Sequence, residues 1–205
     1  MSMIPTVHVI DDDASLRDGL VSLFRSVDLQ ARAYGSAREF LDAGVGDAPG
    51  CLVLDVRLPG LSGLDFQAQL AALGINLPVV LMTGHGDIPM SVQAMKAGAV
   101  DFLAKPFRDQ DMLDAANAAL ARDAERRAGQ ADVGALREAF ESLSSREQQV
   151  MTLVTFGLMN KQVAGDLGLS QVTVKIHRGA AMRKMGARTF ADLVRMANAL
   201  GLRNR

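Results

Sequence analysis

Five residues in the first half of the chain have side chains that could act together on a phosphoryl group. Asp11 and Asp12 follow the run Thr6-Val7-His8-Val9-Ile10, and Asp55 follows Cys51-Leu52-Val53-Leu54. Thr83 follows Pro78-Val79-Val80-Leu81-Met82, and Lys105 follows Val100–Ala104. Three carboxylates within a few ångströms repel one another and are stable together only beside a cation. Hard oxygen ligands favour Mg2+ (or Mn2+), and Mg2+ takes one or two carboxylates directly and keeps several waters. An ammonium and a hydroxyl opposite would suit phosphoryl oxygens, and a carboxylate can accept the group as a nucleophile, giving an aspartyl phosphate. Singly, each has an ordinary alternative: Asp13 or Asp55 as a capping or loop acid, Thr83 satisfying a loop amide, Lys105 as a solvated charge. As a set they argue for chemistry.

The elements that must position them are legible. A short apolar run closed by a turn signal such as Pro59-Gly60 reads as a strand buried on both faces, and Leu29–Tyr34 adds a weaker fifth strand. Leu16, Leu20, Leu23, Phe24 and Val27 recur at spacings of three and four, which predicts a helix from Ala14 to Val27. Ser36-Ala37-Arg38-Glu39 is a capping box opening a short helix; Leu64–Leu73, Met90–Ala97 and Arg108 to about Arg127 read as three more. Strands alternating with helices imply a doubly wound parallel sheet. The carboxyl ends of its strands share one edge, so Asp11, Asp12, Asp55, Thr83 and Lys105 should meet in one pocket.

Charge divides the chain. Residues 1–120 hold 8 Lys/Arg against 15 Asp/Glu, a balance of −7, and residues 143–205 hold 10 against 3, a balance of +7. Two domains with different partners are implied, the basic one suited to nucleic acid. With 49% hydrophobic residues, only 4% aromatics and no Trp, a helix-rich core of Ala, Leu, Val and Met is expected. The single cysteine, Cys51, excludes an internal disulfide and reads as a small apolar core residue in a reducing compartment. With no leader pattern and no apolar run of membrane-spanning length, a cytoplasmic location and no membrane partner are expected.

The set Asp11-Asp12, Asp55, Thr83, Lys105-Pro106 resembles the receiver domain of two-component response regulators over roughly residues 4–125. That resemblance implies a flavodoxin-like fold with Asp55 as the phosphorylated, catalytic aspartate, working with Thr83 and Lys105. It implies metal binding by Asp12 directly, Asp11 through water, Asp55, and the backbone carbonyl of Arg57. It places Thr83 and Phe102 at the switch positions, makes Lys105-Pro106 a cis peptide, and sets Arg57 and His85 beside the phosphoryl group. A phosphoryl acceptor with slow self-dephosphorylation is implied, rather than a turnover enzyme.

Residues 126–141 read as a helical connector interrupted by Gly129 and Gly134, with Leu136 and Phe140 spaced to dock on either domain or a second chain. Four short helices follow. Ser144-Ser145-Arg146-Glu147 and Thr189-Phe190-Ala191-Asp192 are capping patterns, Asn160 can cap the second helix and Ser170 the third. The pair joined by Gly168-Leu169-Ser170 is a helix-turn-helix. On the third helix, Val174, Ala181 and Met185 share a core face, and Val172, Lys175, Ile176, Gly179 and Arg183 lie opposite, a plausible major-groove surface. Lys161, Arg178, Lys184 and Arg188 are placed to meet phosphates.

Residues 142–205 resemble the LuxR-type DNA-binding domain, whose recognition signature is matched by Thr173-Val174-Lys175-Ile176-His177-Arg178. By that resemblance Lys175, Ile176 and residue 179 approach bases, and residue 179 is Gly where a longer polar side chain is expected. Both halves together resemble a NarL/FixJ-type regulator of the FixJ branch. The expected architecture is a five-stranded receiver over residues 1–125, a helical linker over 126–141, and a four-helix helix-turn-helix domain over 142–205. The expected function is a transcription factor phosphorylated by a sensor histidine kinase, dimeric when phosphorylated, acting on double-stranded promoter DNA and RNA polymerase. The rival readings are a Mg2+-dependent phosphohydrolase using Asp55 as nucleophile, a regulator controlled by a partner protein without phosphate, and a relay protein with a vestigial DNA domain.

Overall fold

The structure, a computed structural model, describes residues 4–45, 48–84 and 88–202. The chain forms two compact units, Met1–Arg126 and Arg127–Arg205.

In the first unit, β1 (Thr6–Ile10), β2 (Gln30–Tyr34), β3 (Gly50–Asp55), β4 (Val79–Thr83) and β5 (Asp101–Ala104) form a parallel sheet in the order β2-β1-β3-β4-β5. Helices α1 (Ala14–Ser26), α2 (Ala37–Asp42), α3 (Gly63–Leu70), α4 (Ile88–Lys96) and α5 (Asp109–Glu141) alternate with the strands. Successive strand residues point to opposite faces, so each strand feeds two cores. Ile10, Leu52, Leu54 and Leu81 pack with Phe40 of α2, Phe66 and Leu70 of α3 and Ala94 of α4. Val7, Val9, Cys51, Val53, Val80 and Met82 pack with Leu20 and Phe24 of α1 and Met112, Ala115, Ala116 and Ala119 of α5. Burial on both faces explains why β1, β3 and β4 read as continuous apolar runs. Burial, with the nearby charge of Asp123, pushes the Cys51 thiol up to about 12, so it stays protonated core.

The caps largely follow the sequence. Asp13 caps α1, accepting from the amides of Ser15 at 2.8 Å and Leu16 at 3.3 Å. Ser36 caps α2, while Glu39 reaches back to the amide of Gly35 instead of Ser36. Helix α3 ends at Leu70, short of Leu73, and α4 begins at Ile88, ahead of Met90. At the amino edge of the sheet, buried Asp123 of α5 accepts from the Gly50 amide at 3.0 Å and pairs with Arg126 at 2.7 Å.

The second unit holds α6 (Ser145–Thr155), α7 (Asn160–Leu167), α8 (Gln171–Lys184) and α9 (Phe190–Ala199) around Leu143, Val150, Met151, Val154, Val163, Val174, Ala181 and Leu193. Ser144 and Thr189 close full capping boxes, with Glu147 and Asp192 as the reciprocal partners. Asn160 does not cap α7; it is the first helical residue, and the Gln162 side chain accepts from the Met159 amide at 2.8 Å. Leu136, Ala139 and Phe140 pack against this unit's core, so the last turns of α5 dock there. Gly168, at φ 64°, makes the left-handed stop between α7 and α8.

Helix α5 runs unbroken through Gly129 and Gly134, because two isolated glycines weaken a helix by only about 1 kcal/mol each relative to Ala. Beyond the adjoining helix backbone, a Cβ at either position would meet no atom of the described residues within 4 Å. Gly129→Ala and Gly134→Ala should therefore each stabilise the helix by about 0.5–1 kcal/mol. Thermal melting followed at 222 nm checks this, and an unchanged or lowered midpoint in both variants would contradict it.

Candidate functional site

The sheet order reverses between β1 and β3, and the pocket lies at their carboxyl ends. Asp11 is fully buried there, its carboxylate accepting from the Asp13 amide at 2.8 Å and its carbonyl accepting from Arg17 Nη1 at 2.6 Å. Asp55 ends β3 and is also buried, whereas Asp12 is exposed. The three carboxylates each offer an oxygen within 4.8 Å of the others. Lys105 Nζ lies 2.6 Å from Asp11 Oδ2 and 3.2 Å from Asp55 Oδ2. Its amide donates to Thr83 O at 2.7 Å, and the Lys105-Pro106 peptide is cis.

Close approach of backbone fixes Asp55. A Cβ on Gly63 would stand 2.2 Å from the Asp55 carbonyl oxygen, so only glycine lets α3 start there, its amide donating to Val56 O at 2.8 Å. Ser62 caps the helix through the Leu64 amide. Neither Gly63 nor Arg17 is signalled by residue type or spacing: Gly63 acts through its own backbone and the Arg17 guanidinium on the backbone carbonyl of Asp11, positions that only the folded chain defines.

Burial pushes the Asp55 carboxyl above its ordinary range, the Lys105 ammonium opposing and Asp11 adding to the rise. Burial alone would lower Lys105, but its hydrogen bond and charge pairing with Asp11, then with Asp55, carry it above the ordinary lysine value. The Lys105 ammonium pairs with two of the three clustered carboxylates, and Asp55 Oδ1 is buried without a hydrogen-bond partner among the described residues. A hard divalent cation fits both the remaining charge and the uncovered oxygen. Thr83 is fully buried at the end of β4, and Phe102 is half-buried against the core face containing Leu54 and Leu81. Arg57 is exposed two residues past Asp55, and His85 lies outside the described residues.

The DNA-contact candidates divide by what they touch. Lys161, Lys175, Ile176 and Arg183 are exposed, as is Arg188. Thr173 is half-buried, with its hydroxyl 2.8 Å from the capping Ser170 hydroxyl. Arg178 is half-buried between Asn160 Oδ1 at 3.4 Å and the Phe190 ring at 6.0 Å. Lys184 Nζ lies 2.7 Å from Glu147 Oε2, joining α8 to the α6 cap. Gly179 is half-buried, opposite the fully buried Val174 and Ala181.

An acidic pocket at the carboxyl edge of a doubly wound sheet, followed by a basic helix-turn-helix, defines a signal-responsive DNA-binding protein. Residues 7–117 match the response regulator receiver domain, and residues 141–197 match the bacterial regulatory proteins of the luxR family. Nodulation protein W of Bradyrhizobium diazoefficiens is 60% identical, over 96% of this chain and 86% of that protein. Transcriptional regulatory protein FixJ of Azorhizobium caulinodans is 45% identical, over 96% of this chain and 93% of that one. The response regulator StyR superposes with a TM-score of 0.80 at 48% identity, covering 95% of this chain and 98% of that one. The chain belongs to the response regulators that carry a luxR-type DNA-binding domain, and its partners are accordingly a kinase and DNA. No described helix is long and apolar enough to cross a membrane.

The Lys184 contact and the Ser144 amide hold the Glu147 carboxyl down to about 2, from 4.5 when unperturbed. Between these values the unfolded chain binds more protons than the folded one, so stability falls as pH drops from 4.5 toward 2. Lys184→Met should shrink the loss in melting temperature between pH 5 and pH 3 relative to the unmodified chain. An equal loss in both would remove the ion pair as the cause.

Proposed function

We propose that the chain is switched by phosphorylation of Asp55 and reads promoter DNA through α8. The single observation that carries the first half is Lys105 bridging Asp11 and Asp55 beside the uncovered Asp55 Oδ1. Asp11, Asp12, Asp55 and the Arg57 carbonyl would hold Mg2+ (or Mn2+). When bound, such an ion neutralises charge on the transferring group.

The chain's own residues do the remainder. Asp55 attacks phosphorus as a carboxylate, forming an O–P bond while the donor's bond to phosphorus breaks and the donor keeps the electron pair. A sensor histidine kinase is the donor. Lys105 turns from the carboxylates toward the new phosphoryl oxygens, and the Thr83 hydroxyl donates to another. Burial of Asp11 and Asp55 keeps water from competing for these contacts. Phe102, lacking a hydroxyl, follows Thr83 by packing alone, altering the surface of α4, β5 and α5. Val92 and Met95, exposed on α4, support pairing of two copies through that surface. Paired recognition helices then read two half-sites about one helical turn apart and engage RNA polymerase. Lys161, Lys175 and Arg183, exposed on a unit with an excess of positive charge, support phosphate and base contacts. Thr173, Arg178 and Lys184 support the geometry of the reading helix. The pairing of a receiver with a luxR-type domain favours this reading over a phosphohydrolase.

Incubation with a small-molecule phosphoryl donor and Mg2+ should give a covalent adduct by intact-mass spectrometry, absent in Asp55→Asn. The same treatment should enrich a two-fold-related sequence from a random duplex library, again only with Asp55 intact. Equal enrichment without donor and in the variant would sink the phosphorylation switch and leave DNA binding standing. On the enriched duplex, Lys175→Ala should weaken binding by roughly 1–3 kcal/mol. Unchanged affinity in a gel shift at matched salt would refute that base contact.

A further inference from the structure

Helix α8 carries two apolar side chains that the fold does not use. Val172 is 69% exposed and Ile176 63% exposed, while Val174 between them is fully buried. Four residues apart, they lie one above the other on the helix surface, with Lys175 beside them. Neither joins the core of the second unit. Scattered exposed aliphatics are ordinary; a stacked β-branched pair on the basic face of a recognition helix is not. Val and Ile are poorer helix formers than Ala, Lys or Glu, so helix stability does not select them at these exposed positions.

The same stripe continues to Gly179 and Arg183. A Cβ on Gly179 would meet only Arg183 Nη1, at 3.7 Å, an ordinary contact, so the fold does not demand glycine there. The face therefore presents branched aliphatics at 172 and 176 and a blank at 179. Its side-chain reading is displaced toward the amino-terminal turn, the part of a recognition helix that meets base edges.

In the major groove, the base-edge group that suits an aliphatic side chain is the C5-methyl of thymine. A valine offers no donor or acceptor, and packing it on another base edge would leave that base's polar groups unpaired. We propose that Val172 is a specificity-determining residue that packs on a thymine methyl group, with Ile176 packing on a second. Side chains four apart on a helix are roughly 6 Å apart and base pairs step by about 3.4 Å, so the two thymines fall within about three base pairs. This assignment rests on the DNA-binding reading above. It adds a chemical preference at position 172 and a spacing within each half-site.

The test uses the full chain with phosphoryl donor and Mg2+ on its selected operator. Each thymine is replaced in turn by deoxyuridine, which deletes the methyl and keeps the base pair. Two positions per half-site should each weaken binding about four-fold, the effect of one buried methyl. Val172→Ala should bind thymine and uracil equally at one of them, and Ile176→Ala at the other. Both variants introduce the better helix former, and unchanged affinity for unrelated duplex shows that the fold and phosphate contacts persist. A flat scan with the unmodified chain, or methyl sensitivity unaltered in Val172→Ala, overturns the assignment. Failure to enrich any operator brings down the DNA-binding reading with it, whereas an operator with a flat scan removes the methyl contact alone.

Discussion

The ammonium of Lys105 between Asp11 and Asp55 is the interaction on which the first unit's site depends. It lies 2.6 Å from one buried carboxylate and 3.2 Å from the other, on strands that would otherwise present unopposed negative charge to each other. Burial raises the affinity of the Asp55 carboxyl for protons, and the neighbouring Asp11 charge adds to the rise. Lys105 opposes that rise through its charge and its hydrogen bond to Asp55. The geometry of the whole carboxyl edge follows: β5 must end where its lysine reaches across β4 to β1 and β3, and the Lys105 amide is tied to Thr83 at 2.7 Å.

Much of this was legible in the sequence because four of the five strands are short, largely apolar runs that end in, or run straight into, a polar or charged residue of the pocket. A parallel sheet then collects those ends at one edge without further information. Helix ends were legible where Ser, Thr or Asp supplied a cap, as at Asp13, Ser144 and Thr189. The prediction failed at Asn160, a residue type that caps helices well but whose side chain here faces Arg178. Contacts made through backbone were invisible: nothing near Gly63 announces that α3 must begin against the Asp55 carbonyl, and nothing near Asp123 announces the Gly50 amide 73 positions earlier. Residue type states a capacity; only the fold states which partner uses it.

The second unit shows the same distinction among its cations. Periodicity placed Lys175, Arg178, Arg183 and Lys184 on one short helix, and charge alone cannot rank them. The fold does. Lys184 is engaged with Glu147, which also closes the α6 cap, so one carboxylate joins two helices of the reading head. Arg178 is held by Asn160 and Phe190, linking α8 to α7 and α9. These cations orient the recognition helix from behind, and Lys175 and Arg183 remain on its exposed face. A helix held by charge-assisted contacts on one side leaves its other face free to carry exposed aliphatic side chains such as Val172 and Ile176 beside Lys175 and Arg183.

Helix α5 shows how stability is distributed along one continuous element. Its first turns are fixed by Met112, Ala115, Ala116, Ala119 and Asp123 within the first unit, and its last by Leu136, Ala139 and Phe140 within the second. Between them, residues 128–135 are exposed apart from half-buried Val133, and they include both glycines. Helices of this length draw most of their stability from packing, and this stretch carries no fully buried side chain of the kind that anchors either end. Local stability is lowest where buried contacts are fewest. The stretch of the helix with the fewest buried side chains therefore sits just past Arg126, set there by composition and not by any break in the helix.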